Sequence, residues 1–324
     1  MNKGAEVLRL RELGLSNKQI AEALHMPVPS VRRLASEAKV SATTAQAERI
    51  YRDQYEQHLM NEALREWANG FKYESKPQRK AKVLVIPDTQ VRPGVPTEHL
   101  LWIGRYIKEQ QPDAVVHLGD HYDLPSLSSY EGKGSKWFEG KTYMADVEAG
   151  NRGLELIEEG LGGFKPARKV LLRGNHENRG DRAVNADPRL EGLIGEHLYN
   201  DVKLGWEIVP FLKPIEIHSL TFSHFFQNPG TGRPYSGNVE TMLKNIGFSF
   251  VAGHQQGLRW GRRELTNGRV QIGLIAGSCY LHNEEYRGYQ AASEWRGVAV
   301  LHEVADGNYD PMFVSLNYLK EKFS

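Results

Sequence analysis

The sequence predicts an α/β layered domain over residues 81–324. A small all-helical unit over residues 1–40 precedes it, joined by a helical connector and linker over 41–80. Three observations carry this reading. Short apolar runs of the buried-strand type recur at 82–86, 114–118 and 170–172, with helical spacing between them near 97–110 and 145–162, and such alternation argues for helices layered on a sheet. Past residue 206 the strand-like runs follow one another closely, around 206–224, 248–253, 263–278 and 297–317. Turn signals mark them at Asn267-Gly268 and Asp306-Gly307-Asn308, so a mixed sheet or two packed sheets is expected rather than a purely parallel one. The first 40 residues hold only short helix-like stretches divided by stop signals.

Leu8 and Leu10 open a first helix that runs to about Leu13. Gly14-Leu15-Ser16 ends it, and Ser16 suits the N-cap of a second helix, Asn17 to His25, with Ile20, Ala21 and Leu24 on one face. Met26-Pro27-Val28-Pro29 breaks that helix, and Ser30 is the expected cap of a third carrying Val31, Arg32, Arg33 and Leu34. The stretch GLSNKQIAEALHMPVPSVRRL resembles a helix-turn-helix of the resolvase or homeodomain-like kind. The resemblance implies that Val31 and Leu34 fill the inner face while Ser30, Arg32 and Arg33 meet DNA phosphates or base edges. A helical bundle used for protein contacts is the other reading of the same residues. A long mixed-charge helix is expected from Ala45 to Trp67, ended by Asn69-Gly70, and the polar, basic residues 72–82 suit a linker.

Composition narrows the class. A hydrophobic fraction of 40% with 25% charged residues fits a globular protein with a substantial core. No run approaches the ~20 apolar residues of a membrane span, so no membrane partner is expected. The single cysteine, Cys279, cannot form an internal disulfide, and a reducing, cytoplasmic setting follows as the expectation. The formal net charge of +1 excludes a histone-like chain. It hides a split: residues 1–80 hold 14 Lys and Arg against 10 Asp and Glu, whereas residues 81–324 hold 27 against 30.

The chemistry-bearing residues sit where apolar runs end: Asp88-Thr89-Gln90, Gly119-Asp120-His121-Tyr122-Asp123, Gly174-Asn175-His176-Glu177, His224, and Gly253-His254-Gln255-Gln256. An α/β sheet gathers its ligands at the carboxyl ends of its strands, and this mixture of oxygen and nitrogen donors suits divalent ions. The ordered set resembles the calcineurin-like metallophosphoesterase family, whose pattern is D-x-H, G-D-x-x-D, G-N-H-E, a later H, and G-H-x-H. The resemblance covers about residues 82–260, with the closing strands to 320 expected to belong to the same domain. It implies a sandwich of two mixed β-sheets flanked by helices, and two bound divalent ions. Mn²⁺ is foremost, with Mg²⁺, Zn²⁺ and Fe²⁺ as alternatives. By position, Asp120 bridges the ions, Asn175, His224 and His254 complete the second, and Asp88 with Gln90 and Gln256 completes the first. The family has histidine at positions 90 and 256, so both departures fall on one ion. That site is expected to be weak, exchangeable, or selective for Mn²⁺ or Mg²⁺ over Zn²⁺, and a one-metal enzyme with this site empty is the alternative.

The resemblance further implies that His176 protonates the leaving oxygen or stabilises the transition state, oriented by Asp123. Arg179 and Arg182, expected on a loop leaving the centre, are candidates for substrate phosphates or for surface ion pairs. Arg233, in the Gly/Pro-rich stretch 227–237, is a candidate substrate contact on a mobile loop. Tyr280, Tyr286, Tyr289 and Trp295 are read as core residues in closing strands, with base stacking as the alternative; His121 is expected behind the site or at the surface. The expected function is a metal-dependent phosphodiesterase or nuclease with DNA as partner, able to form a homo-oligomer. The alternatives are a phosphomonoesterase acting on protein or nucleotide, and a DNA-binding regulator with a degenerate metal site. The combination of helix-turn-helix and first motif is similar to phosphoesterases encoded by bacteriophages.

Overall fold

A computed structural model describes residues 3–37, 80–128, 136–283 and 294–324. The expected helix over 45–67 and the linker up to residue 79 lie outside these residues, as do Tyr286 and Tyr289. The chain divides into two compact units, Met1–Lys76 and Pro77–Ser324. No helix among the described residues is long and apolar enough to cross a membrane.

The first unit contains α1 (Lys3–Glu12), α2 (Asn17–Ala23) and α3 (residues 28–37) around a small core of Val7, Ile20, Ala21, Val31 and Ala35. Ser16 caps α2 reciprocally. Its hydroxyl accepts from the Gln19 N–H, and its own N–H donates to Gln19 Oε1 at 2.9 Å, which satisfies donors that a helix start leaves orphaned. Three boundaries differ from the sequence reading. α1 starts at Lys3 rather than near Leu8, and α2 stops at Ala23 rather than His25. Ser30 is not a cap: α3 is already helical at residue 28, and the Ser30 N–H donates to the Pro27 carbonyl at 2.9 Å. Pro29 causes this, because its fixed φ and missing N–H suit the first turn of a helix.

The second unit is a four-layer sandwich. One sheet has six strands in the order β11-β10-β1-β2-β3-β4, and the other has five in the order β5-β6-β7-β9-β8. In the first sheet β1 (Ala81–Ile86), β2 (Ala114–His117), β3 (Arg168–Leu172) and β4 (Glu207–Val209) run parallel, while β10 (Gly297–Ala305) and β11 (Asn308–Ser315) close it antiparallel. In the second, β6 (Leu220–Ser223), β7 (Phe250–Ala252) and β9 (Val270–Ala276) are parallel, with β5 (Ile215–Ile217) and β8 (Leu258–Glu264) antiparallel at its edges.

The alternation of side chains along each strand decides which layer it fills. Val83 and Val85 of β1, with Val116 and Leu172, meet Phe222, Val251 and Leu274 between the sheets. Leu84 and Ile86 point the other way, onto α4 (Glu98–Gln110), α5 (Tyr143–Leu161) and α8 (Leu316–Phe323), through Leu100, Ile103, Leu154, Ile157 and Leu319. On the far side, α7 (Val239–Ile246) lays Val239, Met242 and Leu243 on Phe250 and Ile275. The sequence reading missed α7, α8 and the first half of β8, whose run LRWGRRE carries too much charge to read as a strand.

α4 and α5 cross at paired glycines. A Cβ on Gly104 would collide with the Ile157 carbonyl and with the Gly160 backbone, and one on Gly160 would collide with the α4 backbone. Replacement Gly104→Ala is expected to force the helices apart and to destabilise the chain by about 1–3 kcal/mol, the usual cost of overpacking, read as a lower urea midpoint with an unchanged slope.

Candidate metal centre

Every proposed ligand lies just beyond the carboxyl end of a strand. Asp88 and Gln90 follow β1, Asp120 follows β2, Asn175 follows β3, His224 follows β6 and His254 follows β7. β1, β2 and β3 are parallel within one sheet, and so are β6 and β7 within the other, so the two sheets deliver these groups to one end of the sandwich. The sequence spreads them over more than 160 residues, and the topology gathers them.

Asp120, His224 and His254 each offer a ligand atom within 4.8 Å of the others. His224 Nε2 lies 3.3 Å from Asp120 Oδ2 and 3.0 Å from Asn175 Oδ1. Its Nδ1 donates to the Leu118 carbonyl at 2.8 Å, which fixes the ring and leaves Nε2 as the ligating atom. Burial disfavours a charge on His224, but the Asp120 carboxylate outweighs it and pushes the pKa up to about 9. Burial, joined by the Asp120 charge, raises Asp88 to about 6.

Two further oxygens bear on the first site. Asp88 Oδ1 accepts from the His254 N–H at 3.0 Å, while Asp88 Oδ2 is buried with no hydrogen-bond partner among the described residues. Gln90 Oε1 is buried and equally unpartnered. Orphaned oxygens at this depth are uncommon in proteins and call for an ion or water. A carboxylate and a carboxamide oxygen are hard donors that fit a divalent cation. The residues present therefore fit metal binding. Gln256 is also buried, and its Oε1 accepts from the Tyr280 hydroxyl at 2.9 Å. Tyr280 is thus core, fully buried and unable to stack on a base, yet it holds a proposed ligand.

The backbone at the centre is strained. Gln90, Asp120, His254 and Gln256 all adopt positive φ, at 41°, 50°, 66° and 59°, and such a conformation costs a non-glycine residue about 1–2 kcal/mol. Structure elsewhere must hold these turns, and Glu177 is the main holder. Its buried carboxylate accepts four backbone N–H bonds, from Asp120 (3.1 Å), His121 (2.7 Å), Tyr122 (2.9 Å) and Gly174 (2.8 Å). It ties the turn after β2 to the turn after β3. Glycine at 174 allows the approach, because a Cβ there would run into Asp120 Oδ1. Behind them Thr89 Oγ1 links His117 Nε2 (3.1 Å) to His121 Nδ1 (2.8 Å), and His121 Nε2 reaches the Gly150 carbonyl (2.9 Å). His121 is therefore buried behind the centre. Burial lowers its pKa to about 4, so it serves as a neutral link in this chain.

His176 and Asp123 form a dyad beside the ligands. His176 Nδ1 and Asp123 Oδ1 are 2.6 Å apart, and His176 Nε2 lies 3.7 Å from Asp120 Oδ2. The second oxygen of Asp123 accepts from Arg92 Nη1 at 2.7 Å. Arg179 Nη1 donates to the Asp123 carbonyl at 2.6 Å, and its Nη2 lies 3.2 Å from His176 Nε2. Burial raises Asp123, but the hydrogen bond to His176 and the two guanidinium groups hold it well below the usual carboxylate range. Burial opposes a charge on His176 and so does Arg179, but the carboxylates prevail and its pKa is raised.

The segment after GNHE is a helix, α6 (Asn178–Ala186), and not the expected loop, because the turn at His176 and Glu177 already makes its first hydrogen bonds. That helix buries Arg179 against the dyad and leaves Arg182 exposed. Arg233 is also exposed, on a stretch stitched by its own bonds: the Asn228 N–H donates to the Arg233 carbonyl at 2.8 Å, and the Tyr235 N–H to the Phe226 carbonyl at 2.9 Å. Neither Arg182 nor Arg233 joins the described contacts of the centre. Sequence reasoning missed Glu177, Arg92 and Tyr280 as site-building residues. Glu177 alone had a signal, as the last letter of a motif already in hand.

Two outcomes follow. A divalent ion displaces the proton that His224 holds at neutral pH, so titrating Mn²⁺ into the metal-free chain at pH 7 should release about one proton, measured by calorimetry in buffers of different ionisation heat. Glu177→Ala leaves four buried N–H groups unpaired at roughly 1–3 kcal/mol each where water cannot replace the carboxylate. A loss of at least about 3 kcal/mol is therefore expected in urea unfolding.

A family model described as calcineurin-like phosphoesterase matches residues 81–260, more than half of the chain and every proposed ligand. No curated protein matches the chain. The matched span runs from β1 through β7, the elements whose ends build the centre. By this match and by the gathering of the motif residues at one end of the sandwich, the chain belongs to the calcineurin-like phosphoesterase family.

Proposed function

We propose that the protein is a metal-dependent phosphodiesterase acting on nucleic acid, DNA foremost, with residues 81–324 as the hydrolytic domain. Residues 1–40 would be a DNA-binding helix-turn-helix, joined to it through residues 41–80. The observation that carries the hydrolytic part is the dyad of His176 and Asp123, built against ligand residues that fit divalent ions. A mere metal-binding scaffold has no use for a buried histidine whose proton is governed by two carboxylates and an arginine.

Bound divalent ions supply Lewis acidity at the phosphate and a water of lowered pKa. The chain supplies the rest. Asp120, Asn175, His224 and His254 are the proposed donors of one ion; Asp88, Gln90, Gln256 and the shared Asp120 are those of the other. Mn²⁺ is the preferred ion, since carboxamide oxygens are harder and weaker ligands than the imidazoles they replace. The second set is correspondingly the weaker. His176 holds its Nδ1 proton toward Asp123, so Nε2 is the atom that meets the leaving oxygen, and it delivers a proton there as the imidazolium, its Nε2–H directed to that oxygen in place of the contact with Arg179 Nη2. Arg92 and Arg179 keep Asp123 ionised and in place.

Support for the DNA-binding part is the geometry of α2 and α3. Val31 and Ala35 are buried against Ile20 and Ala21, while Arg32 and Arg33 are exposed on the outer face of α3 and Ser30 is half-buried in its first turn. Arg33 lies 3.8 Å from Glu37, an exposed pair that a phosphate would readily replace.

His176→Asn should lower kcat on bis-(p-nitrophenyl) phosphate by about 10²–10⁴, the range of general acid catalysis, with metal content unchanged. An unchanged rate contradicts the mechanism, and a wild-type preference for p-nitrophenyl phosphate over the diester favours a phosphomonoesterase. Replacing Arg32 and Arg33 by Ala should weaken duplex DNA binding and reduce its salt slope by about 2 without changing hydrolysis of the small diester. An unchanged slope removes α3 from the DNA contact.

A further inference from the structure

The oxygens proposed for the weaker ion have a support of their own. β9 ends at Ala276, and the residues just after it run along the turn after β1. Ser278 pairs with Asp88 in a single parallel β-bridge, and the Cys279 N–H donates to the Asp88 carbonyl at 2.7 Å. One residue on, the Tyr280 hydroxyl donates to Gln256 Oε1 at 2.9 Å. Residues 278–280 therefore hold two of the proposed donors, Asp88 by its backbone and Gln256 by its side chain. The Gln256 backbone is held as well, since its carbonyl accepts from the Trp295 N–H at 3.3 Å. The tighter set rests mainly elsewhere: the Leu118 carbonyl fixes His224, and Glu177 joins the turns that carry Asp120 and Asn175.

We propose that Tyr280 is a positioning residue for the weaker ion, aiming the Gln256 carboxamide at it. The inference rests on the two-ion reading and adds to it the group that makes a glutamine serviceable as a ligand there. A glutamine side chain ends in a broad, weakly restricted torsion, so its oxygen meets an ion reliably only where something fixes that end. Tyr280 supplies the fixation. A carboxamide oxygen has two lone pairs; the hydroxyl takes one and leaves the other for a cation. The hydroxyl is held in turn. Tyr280 is fully buried, His282 stacks on its ring with centroids 4.6 Å apart and planes 24° apart, and the Arg296 guanidinium lies 4.9 Å from the ring centre. Arg296 is anchored by the Leu281 carbonyl at 3.2 Å, Asn283 Oδ1 at 3.0 Å and Glu294 Oε2 at 2.9 Å. Gln90 differs, because its Oε1 has no hydrogen-bond partner among the described residues. Of the two carboxamides, Gln256 is the one whose oxygen the chain aims before an ion arrives. Partners that orient a ligand in this way govern metal affinity nearly as strongly as the ligands do.

The test titrates Mn²⁺ into the metal-free full chain and reads the free ion by electron paramagnetic resonance, so it needs no catalysis. Tyr280→Phe keeps the ring and loses the hydroxyl. In it the Kd of the weaker class should rise at least about tenfold, while that of the tighter class stays within about twofold. In Gln256→Ala the weaker class should weaken to a similar degree. Adding Tyr280→Phe to that variant should then change it by less than about twofold, since the hydroxyl acts through the missing oxygen. An unchanged weaker class in Tyr280→Phe overturns the proposal. An equal loss of both classes overturns it too, as does a full further loss in the double variant, because Tyr280 would then serve the fold at large. If the wild type holds one ion, or Gln256→Ala leaves the weaker class unchanged, the two-ion reading falls and this inference with it. If Gln256→Ala weakens that class and Tyr280→Phe does not, the two-ion reading stands and the role of Tyr280 alone falls.

Discussion

Four backbone N–H groups converge on the carboxylate of Glu177, and the geometry of the centre depends on that convergence. The turn after β2 must place Asp120 in a left-handed conformation, and the turn after β3 must bring Gly174 against it. Glu177 stabilises both at once, because one anion accepts from each. The His117–Thr89–His121 chain then ties in the turn after β1, so three strand ends are joined by hydrogen bonds. The apolar layers beneath, Val83, Val85, Val116 and Leu172 against Phe222, Val251 and Leu274, supply the free energy that holds this strain.

Electrostatics complete the arrangement. The buried carboxylates Asp88, Asp120 and Asp123 sit among His176, His224, Arg92 and Arg179. Without ions, protons on His176 and His224 offset the carboxylates; divalent ions would displace the proton of the ligand His224, leave that of His176 in place and make the site more positive. This gives a narrower meaning to the charge split in the sequence. Residues 81–324 carry an acidic excess, 30 Asp and Glu against 27 Lys and Arg, and their buried carboxylates lie where divalent ions fit.

Much of this was legible in the sequence. Apolar runs ending in Asp, Asn or His located β1, β2, β3, β6 and β7; the glycines of GN and GH mark places where a carboxylate lies on the backbone, and that of GD a place where the backbone after β3 does. What stayed hidden depends on long-range contact. Arg92 and Asp123 are 31 positions apart, and Gln256 and Tyr280 are 24 apart, and no periodicity links such pairs. α6 was hidden for a local reason: NRGDRAVNA is rich in weak helix formers, and the preceding turn starts the helix. At α3 the rule that Ser caps helices lost to Pro29, which fits one residue further in.

The centre we propose is an asymmetric pair of metal sites, one complete in its usual donors and one weakened by Gln90 and Gln256. Equilibrium dialysis of Mn²⁺ against the full chain, with metal analysis of the retained protein, tests it most directly. Two binding classes of one ion each are expected, the tighter lost in His224→Ala and the weaker lost in Gln90→Ala. Two equal classes, or retention of the tighter class in His224→Ala, would contradict it.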